Sequence, residues 1–358
     1  MSRFADLSDL DRFLVGQAEL HPKDLAKVAT AHFKVSRQAV NRHLRELVGR
    51  GLLAREGQTR AVRYQLPVLG EVSKALPNTP DLQEDLVWRD EVLPLLRDVP
   101  ENVRDICAYG FTEIVNNARD HSESAGVLIT ARLSAARITL EVYDRGVGIF
   151  TKIRTLCALE DERHAVFELT KGKLTTDPER HTGEGIFFTS RMFDTFAILS
   201  GTLYLGCREG RDWLLENAKP LQGTAVTMGI SPLSSRTSRE VFDRYATNQD
   251  DYAFRRTHVV VGLARAEGEK LISRSQAKRI MARVERFREV VLDFEGVESI
   301  GPAFADEMFR VFRLQHPGVH IVPINTTDEV QRMIPRSMFS EASSETSAVQ
   351  PTPGTMTK

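Results

Sequence analysis

The stretch FTEIVNNARDH, residues 111–121, constrains the middle of this chain more than any other. Its apolar side chains recur with helical spacing, at Phe111, Ile114, Val115 and Ala118. Glu113, Asn117 and His121 are each four residues apart, so they share one face of the predicted helix. Asparagine is a poor helix former, and two in succession indicate that this helix has a binding role.

The three polar groups on that face have the chemistry of a metal–phosphate site. An amide oxygen is a hard, neutral ligand for Mg²⁺, and a carboxylate orients or deprotonates a water molecule. Polar residues with this spacing are also common on solvated helix faces, which is the alternative interpretation of the pattern.

Three glycine motifs follow the predicted helix. Residues 144–148, Asp-Arg-Gly-Val-Gly, come directly after a strand-like run and place a carboxylate beside a backbone that a flat ring can approach closely. Residues 181–185, His-Thr-Gly-Glu-Gly, precede a helical pattern whose first N–H groups can face phosphate. Residues 223–224, Gly-Thr, open a further strand.

The motifs E-x3-N-x3-H, D-x-G-x-G, G-x-G and G-T, in this order, resemble those of the GHKL ATPases. That family includes histidine-kinase catalytic domains, gyrase-type ATPases, heat-shock chaperones and anti-sigma-factor serine kinases. The resemblance covers residues 81–232 and implies a Bergerat α/β sandwich that binds ATP and Mg²⁺ under a mobile lid. The chain contains no P-loop motif of the form G-x4-GK[ST].

The resemblance assigns roles to individual residues. Glu113 would position or activate the attacking group, Asn117 would bind Mg²⁺, and Asp144 would accept a hydrogen bond from the adenine amino group. The other expected nucleotide contacts are Gly146, Gly148, Gly183, Gly185, Thr224, His121 and Lys173. The G-x-G motif is shorter than the usual family pattern and carries Glu184, a departure that bears on turnover more than on binding.

Residues 151–180, between two glycine motifs, are the expected ATP lid. The second half of this segment is polar, and Lys171 or Lys173 could contact a phosphate there. Arg191, shortly after the last glycine pair, is a similar candidate. The alternative for each lysine is a solvated loop position.

Residues 1–67 resemble a bacterial winged helix-turn-helix. Pro22 is expected in the first turn of one helix, and Ser36 is expected to cap the next. Val40, Leu44 and Leu47 should face inward from that second helix. A two-stranded wing should turn at residues 57–59.

The charge of this region is unlike that of the whole chain. Residues 23–63 carry ten Lys or Arg and three Asp or Glu, a difference of +7, whereas the formal net charge of the chain is -1. Such a basic patch favours DNA binding, with a solvated protein-interaction face as the alternative. The predicted DNA-contacting residues are Ser36, Arg37, Gln38, Asn41, Arg42, Arg45 and Arg60.

Residues 68–80 show little periodicity and are predicted to be a linker. Residues 250–335 alternate strand and helix patterns, and VVLDFEGVESIGPAFADEMFRVF within them resembles the STAS domains of anti-anti-sigma factors. Gly301-Pro302-Ala303 stands where those domains carry a phosphorylated hydroxyl. We therefore expect a STAS-like domain that binds a protein partner; a homodimerisation or scaffold role is the alternative. Residues 336–358 are predicted to be disordered.

Three scattered cysteines, no apparent signal peptide and no sufficiently long apolar run favour a cytoplasmic protein without a membrane span. The working hypothesis is a multi-domain, DNA-binding bacterial regulator in which Mg-ATP binding or slow hydrolysis controls DNA or partner contacts. A serine/threonine protein kinase acting on another protein uses the same residues and is not separated by sequence. A nucleotide-independent binding protein with a decayed pocket is less favoured, because all the expected polar residues and glycines are present.

Overall fold

The computed structural model describes residues 3–58, 61–174, 183–248, 251–265 and 269–334. The chain forms two compact units. The first unit contains Met1–Leu169 and Lys173–Val241, and the C-terminal unit contains Thr170–Gly172 and Phe242–Lys358. The architecture is multi-domain and α/β, with several separate sheets.

The first unit begins with three helices and a hairpin. These elements are α1 Asp9–Gln17, α2 Leu25–Phe33, α3 Arg37–Gly49, β1 Ala54–Glu56 and β2 Arg63–Gln65. The Ser36 hydroxyl caps α3 by accepting from the Ala39 N–H at 3.2 Å. The apolar stripe of α3 is buried as predicted, at Val40, Leu44 and Leu47. The antiparallel hairpin confirms the predicted pair of strands. Pro22 precedes α2 instead of lying in its first turn, because the helix begins at Leu25.

An antiparallel sheet of five strands, in the order β3-β4-β5-β7-β6, forms the rest of the first unit's framework. Its strands are β3 Val68–Pro77, β4 Gly126–Ser134, β5 Ile138–Asp144, β6 Thr195–Arg208 and β7 Arg211–Ile230. The long helix α5, Glu101–His121, buries Phe111, Ile114 and Val115. The helix predicted around residues 111–121 is therefore present, and it extends ten residues further toward the N-terminus.

The linker prediction for residues 68–80 is wrong over most of its length. Val68–Pro77 form strand β3, which pairs with β4 from Val68↔Ser134 to Pro77↔Gly126. No residue of β3 is fully buried, since β3 is an edge strand. The apolar alternation that would identify a half-buried strand is accordingly weak in this segment.

Short helices complete the first unit. They are α4 Glu84–Val87, α6 Ile149–Leu156, α7 Glu162–Lys171, α8 Gly185–Met192 and α9 Ser238–Tyr245, of which α7 and α9 end in residues of the C-terminal unit. Helix α4 continues as a π-helical turn over Trp88–Val92 and a 3-10 turn over Leu93–Leu96. Within the predicted lid, residues 151–180, helix α7 spans Glu162–Lys171 and buries Val166, Phe167 and Leu169, and residues 175–180 lie outside the described residues.

The C-terminal unit contains a hairpin and a parallel three-stranded sheet. The strands are β8 Ala246–Asn248, β9 Asp251–Phe254, β10 Arg256–Val260, β11 Glu289–Asp293 and β12 His320–Ile324. The helices are α10 Arg274–Met281, α11 Pro302–Ala305, α12 Phe312–Gln315 and α13 Asp328–Met333. Val261–Ala264 and Val284–Arg286 form 3-10 turns, and a π-helical turn at Asp306–Val311 joins α11 to α12. The predicted alternation of strands and helices is confirmed for this unit.

Among the described residues, no helix is both long enough and apolar enough to cross a bilayer. The predicted disordered tail, residues 336–358, lies outside the described residues, and so does the predicted DNA contact Arg60.

Candidate functional site

A cavity in the first unit collects many of the residues singled out by the sequence. It is bordered by helix α5, the end of strand β5, strand β7 and the segment around α7. The predicted site residues in its lining are Asn117, His121, Asp144, Gly183 and Thr224. Residues far apart in the sequence thus line one cavity.

Among the described residues that line this cavity, Asp144 is the one acid. It ends strand β5, is 5 % exposed, and accepts a hydrogen bond from the Gly146 N–H at 2.8 Å. Burial raises the pKa of its carboxyl above the ordinary aspartate value, and backbone N–H groups of Gly146 and Thr224 reduce that rise. The site therefore keeps a poorly hydrated carboxylate facing the cavity.

Thr224 stands beside Asp144 because β5 and β7 pair in that register. Its hydroxyl oxygen accepts from the Ile149 N–H at 2.9 Å, at the first residue of α6. The hydroxyl proton is then directed away from that bond and can be donated to a ligand. This contact also fixes the start of α6 against strand β7.

Glycine is required around Asp144 by close backbone packing. A Cβ at Gly146 would lie 1.8 Å from the Ser122 carbonyl oxygen, and one at Gly223 would lie 2.1 Å from the Asp144 carbonyl oxygen. Gly148 has a φ of +81° and its Cβ would lie 2.7 Å from the Ser200 hydroxyl. Side chains at these positions would displace the backbone around the acid.

Asn117 has a defined orientation on α5. Its amide nitrogen donates to the Glu113 carbonyl oxygen at 2.8 Å, one helical turn earlier. This bond uses one of the two amide N–H groups and orients the side chain, whose oxygen can be offered to a ligand. Asn117 is half-buried and lines the cavity, and an amide oxygen has the chemistry of a magnesium ligand.

Glu113 lies against the first turn of helix α8. A Cβ at Gly185 would lie 1.9 Å from Glu113 Oε2, so the carboxylate touches the backbone where the second glycine pair ends. Burial raises the pKa of the Tyr109 hydroxyl, and the nearby charges of Glu113 and Glu184 raise it further. Two carboxylates are therefore gathered at this end of the site.

Lys173 adds a positive charge near the same place. Burial raises the pKa of Glu184, and the charge of Lys173 opposes that rise. Lys173 has a φ of +53° and immediately precedes Leu174, which lines the cavity. This location is compatible with the phosphate contact predicted for it.

Two other cations considered for phosphate contact have different partners. Lys171 is 1 % exposed and donates to the Ala282 carbonyl oxygen at 2.8 Å. Arg191 pairs with Asp212 through two contacts of 2.7 and 2.5 Å, and both side chains are 3 % exposed. Both interpretations as phosphate ligands are wrong, because these charges are buried on protein acceptors.

Lys152 lines the cavity and was not singled out by the sequence. It lies on α6, four residues after Gly148, and forms an ion pair with Glu123. Its position could have identified it, since a cation one helical turn after a glycine motif lies near the residues of that motif.

The basic surface predicted at the N-terminus is a groove between α2, α3 and the hairpin. Its basic and amide side chains are Lys23, Lys27, Arg37, Gln38, Asn41, Arg45 and Arg55, and the acid Asp24 also lines it. Arg42 is exposed on α3 but does not line this groove. Ser36 is exposed, and its hydroxyl is engaged in the helix cap.

Residues 276–331 match the family described as STAS-like domain of unknown function (DUF4325). No curated protein matches the chain. The matched segment runs from within α10 to within α13 in the C-terminal unit. A STAS-like domain is thus present at the C-terminal end of the chain, where the sequence resemblance predicted one.

The STAS-like domain has no room for a hydroxyl side chain at Gly301. A Cβ there would lie 2.8 Å from the Ile272 Cα, and the Gly301 N–H donates to the Leu271 carbonyl oxygen at 2.8 Å. The start of α11 is therefore covered by the segment before α10. This packing agrees with the departure seen in the sequence, where Gly301-Pro302-Ala303 replaces the expected phosphate acceptor.

Proposed function

We propose that the first unit binds ATP with Mg²⁺ and that nucleotide binding regulates the contacts of the chain with DNA or a protein partner in the bacterial cytoplasm. The observation that carries this proposal is the buried Asp144 carboxylate, enclosed by a glycine turn and facing a cavity that Asn117 also lines. A buried acid with so few protein donors is costly unless a ligand supplies more.

The residues at the base of the cavity fit adenine. The adenine ring presents an amino donor beside a ring-nitrogen acceptor, and Asp144 with Thr224 offers a carboxylate acceptor beside a hydroxyl donor. Guanine presents an oxygen in place of that amino group and would face the carboxylate unfavourably. The tight glycine packing keeps backbone, not side chains, against the ring.

The opposite end of the site fits the phosphates. The Asn117 oxygen would hold Mg²⁺, which retains waters and takes phosphate oxygens where protein ligands are few. Gly183, Glu184 and Gly185 lead into α8, whose first N–H groups favour an anion. The bound metal would neutralise phosphate charge, while Glu113 would orient the attacking group and Lys173 would add a positive charge.

The basic groove supports DNA binding by the N-terminal part of the same unit. Arg37, Gln38 and Arg45 are exposed on α3. Lys27 of α2, Lys23 just before that helix and Arg55 of the hairpin border the same groove. Cations contact phosphates independently of sequence, while arginine, glutamine and asparagine also match base edges. We propose that α3 is the DNA-recognition helix of a winged helix-turn-helix.

The fate of the γ-phosphate distinguishes a slow ATPase from the alternative, a serine/threonine protein kinase. The experiment follows γ-labelled ATP in wild type, Glu113→Ala and Asn117→Ala, with and without added bacterial protein. Labelled free phosphate that is lost in Glu113→Ala supports an ATPase. Label on an added protein supports the kinase, in which Glu113 aligns a substrate hydroxyl.

Two other outcomes of that experiment are informative. Binding without transfer, lost in Asn117→Ala, makes ATP a sensed ligand. No ATP binding by folded wild type overturns the proposal and leaves a DNA-binding protein with a STAS-like domain that contacts a partner or a second copy of the chain.

A further inference from the structure

The short segment Thr170–Gly172 belongs to the C-terminal unit, although the chain on both sides of it belongs to the first unit. Leu169 directly precedes the segment and Leu174 follows it by two residues, and both line the cavity. Three residues of the C-terminal unit therefore lie in the chain between two residues that line the proposed nucleotide site.

The side chain of Lys171 is fixed within the C-terminal unit. It is 1 % exposed, and its Nζ donates to the Ala282 carbonyl oxygen at 2.8 Å and lies 3.5 Å from the Arg279 carbonyl oxygen. These carbonyls are at the end of α10, where helical carbonyls lack partners and the helix dipole favours a cation. The ammonium group thus completes the C-terminal end of α10.

The backbone of Lys171 is held as well. Its carbonyl oxygen accepts from the Thr257 hydroxyl at 2.6 Å, and Thr257 is fully buried on strand β10. A buried lysine with satisfied donors is expensive to withdraw, because the charge would lose partners that water must replace. Movement of residues 170–172 is consequently coupled to α10 and β10.

We propose that the C-terminal unit regulates the nucleotide site through this segment, with Lys171 as the positioning residue that links the cavity border to α10. The inference rests on the proposed ATP binding and deepens it. A ligand that orders Leu169 and Leu174 restricts the peptide between them, and that peptide is bonded to α10 and β10. By linkage, the factor by which bound ATP changes the affinity of α10 for a partner is also the factor by which that partner changes the affinity for ATP.

The test is hydrogen exchange of the full chain, with and without saturating Mg-ATP, after ATP binding has been measured on the same samples. The variants are Lys171→Met, which keeps the length of the side chain without its charge, and Thr257→Val, which removes the hydroxyl. Lys278→Met is the matched control, since Lys278 is an exposed lysine of the same helix α10.

In wild type and Lys278→Met, ATP should slow amide exchange in α10 and β10 by about threefold or more. In Lys171→Met and in Thr257→Val, ATP should still bind and that protection should fall to within about a factor of 1.5 of none. Should either variant fail to fold, the other provides the same comparison.

Wild type that binds ATP with unchanged exchange in α10 and β10 overturns the coupling but leaves ATP binding intact. Unchanged protection in a folded Lys171→Met variant overturns the role of Lys171. Wild type that does not bind ATP refutes the proposed function first, and this inference falls with it.

Discussion

At the scale of residues, the buried carboxyl of Asp144 is the strongest indication of a ligand-binding site. An aspartate that is 5 % exposed and bonded mainly to backbone N–H groups is held at a cost to the fold. The surrounding glycines permit no side chain that could cover it from the turn. The sequence predicted this acid because it follows a strand and precedes two glycines, a local pattern that needs no knowledge of tertiary contacts.

The raised pKa of Asp144 predicts a pH-dependent stability. A carboxyl whose folded-state pKa is raised contributes stability that is present below its ordinary pKa and is lost as pH rises through the raised value. Asp144→Asn cannot titrate, so the free energy of unfolding of this variant relative to wild type should increase with pH across that window. Urea unfolding over a pH series measures it, with the exposed Asp81→Asn as control. A pH-independent difference would refute the effect.

Substitution of Gly185 should lower the rate of phosphate release or transfer without preventing ATP binding. A methyl group there meets the end of the flexible Glu113 side chain, at 1.9 Å from Oε2, and must displace the carboxylate. Gly185→Ala should fold normally and bind ATP, while phosphate release or transfer falls by about 100-fold, the scale of a misplaced acid–base group. Single-turnover assays with labelled ATP provide the measurement.

Gly318→Ala is the matched control for that substitution, because a Cβ at Gly318 meets no atom within 4 Å. Turnover by Gly185→Ala at the wild-type rate would show that Glu113 does not need its present position. Loss of ATP binding in Gly185→Ala would instead assign the glycine to binding.

Lys171 and Arg191 mark the limit of prediction at the scale of residues. A lysine or arginine near a glycine motif has the same local sequence whether it meets a phosphate or a protein carbonyl. The partners of these two cations, Ala282 and Asp212, lie 111 and 21 residues away along the chain. Only tertiary structure could supply them.

At the scale of elements, the amphipathic helices and buried strands were predictable. Helix α3 shows its apolar positions at helical spacing and a capping serine, and the structure reproduces both. Strand β3 could not be recognised, because an edge strand with no fully buried residue lacks alternation. Helix α7 was not recognised either, because the side chains that it buries include the polar residues Glu168 and Lys171.

The cap of α3 predicts a modest and local stability effect. Ser36→Ala removes the acceptor for the Ala39 N–H and should lower the free energy of unfolding by about 1 kcal/mol. Ser36→Thr keeps an oxygen at the cap and should restore most of that loss. Urea unfolding of both variants tests this; equal stability of Ser36→Ala and wild type would show that the cap contributes nothing.

The basic groove predicts a salt-dependent affinity for DNA. Arg37→Ala and Arg45→Ala should each weaken binding and reduce the slope of log affinity against log salt by about 1 when the arginine contacts a phosphate. Arg89→Ala, an exposed arginine of the same unit outside the groove, should leave both quantities unchanged. Fluorescence anisotropy at several salt concentrations measures them.

The same anisotropy measurements can contradict the assignment of the groove to DNA. DNA binding that is insensitive to both groove arginines, or no binding at low salt, would assign the groove to a protein partner or to solvent. Equal weakening by Arg89→Ala would indicate general charge attraction instead of a defined interface.

At the scale of the whole molecule, one compact unit contains a basic groove and the cavity for which we propose ATP binding, and the other contains a STAS-like domain. Regulation requires that nucleotide changes the affinity for DNA or partner, and an equal affinity in both states would be no regulation at all. Regulation by nucleotide, in either the ATPase or the kinase form, depends on ATP binding in the cavity.

The most direct test is calorimetric titration of Mg-ATP and Mg-GTP into wild type and Asp144→Asn. We expect that wild type binds ATP, that GTP binds at least about tenfold more weakly, and that folded Asp144→Asn loses most of the ATP affinity. Folded wild type that binds no ATP, or an Asp144→Asn variant with unchanged affinity and selectivity, would contradict the central claim.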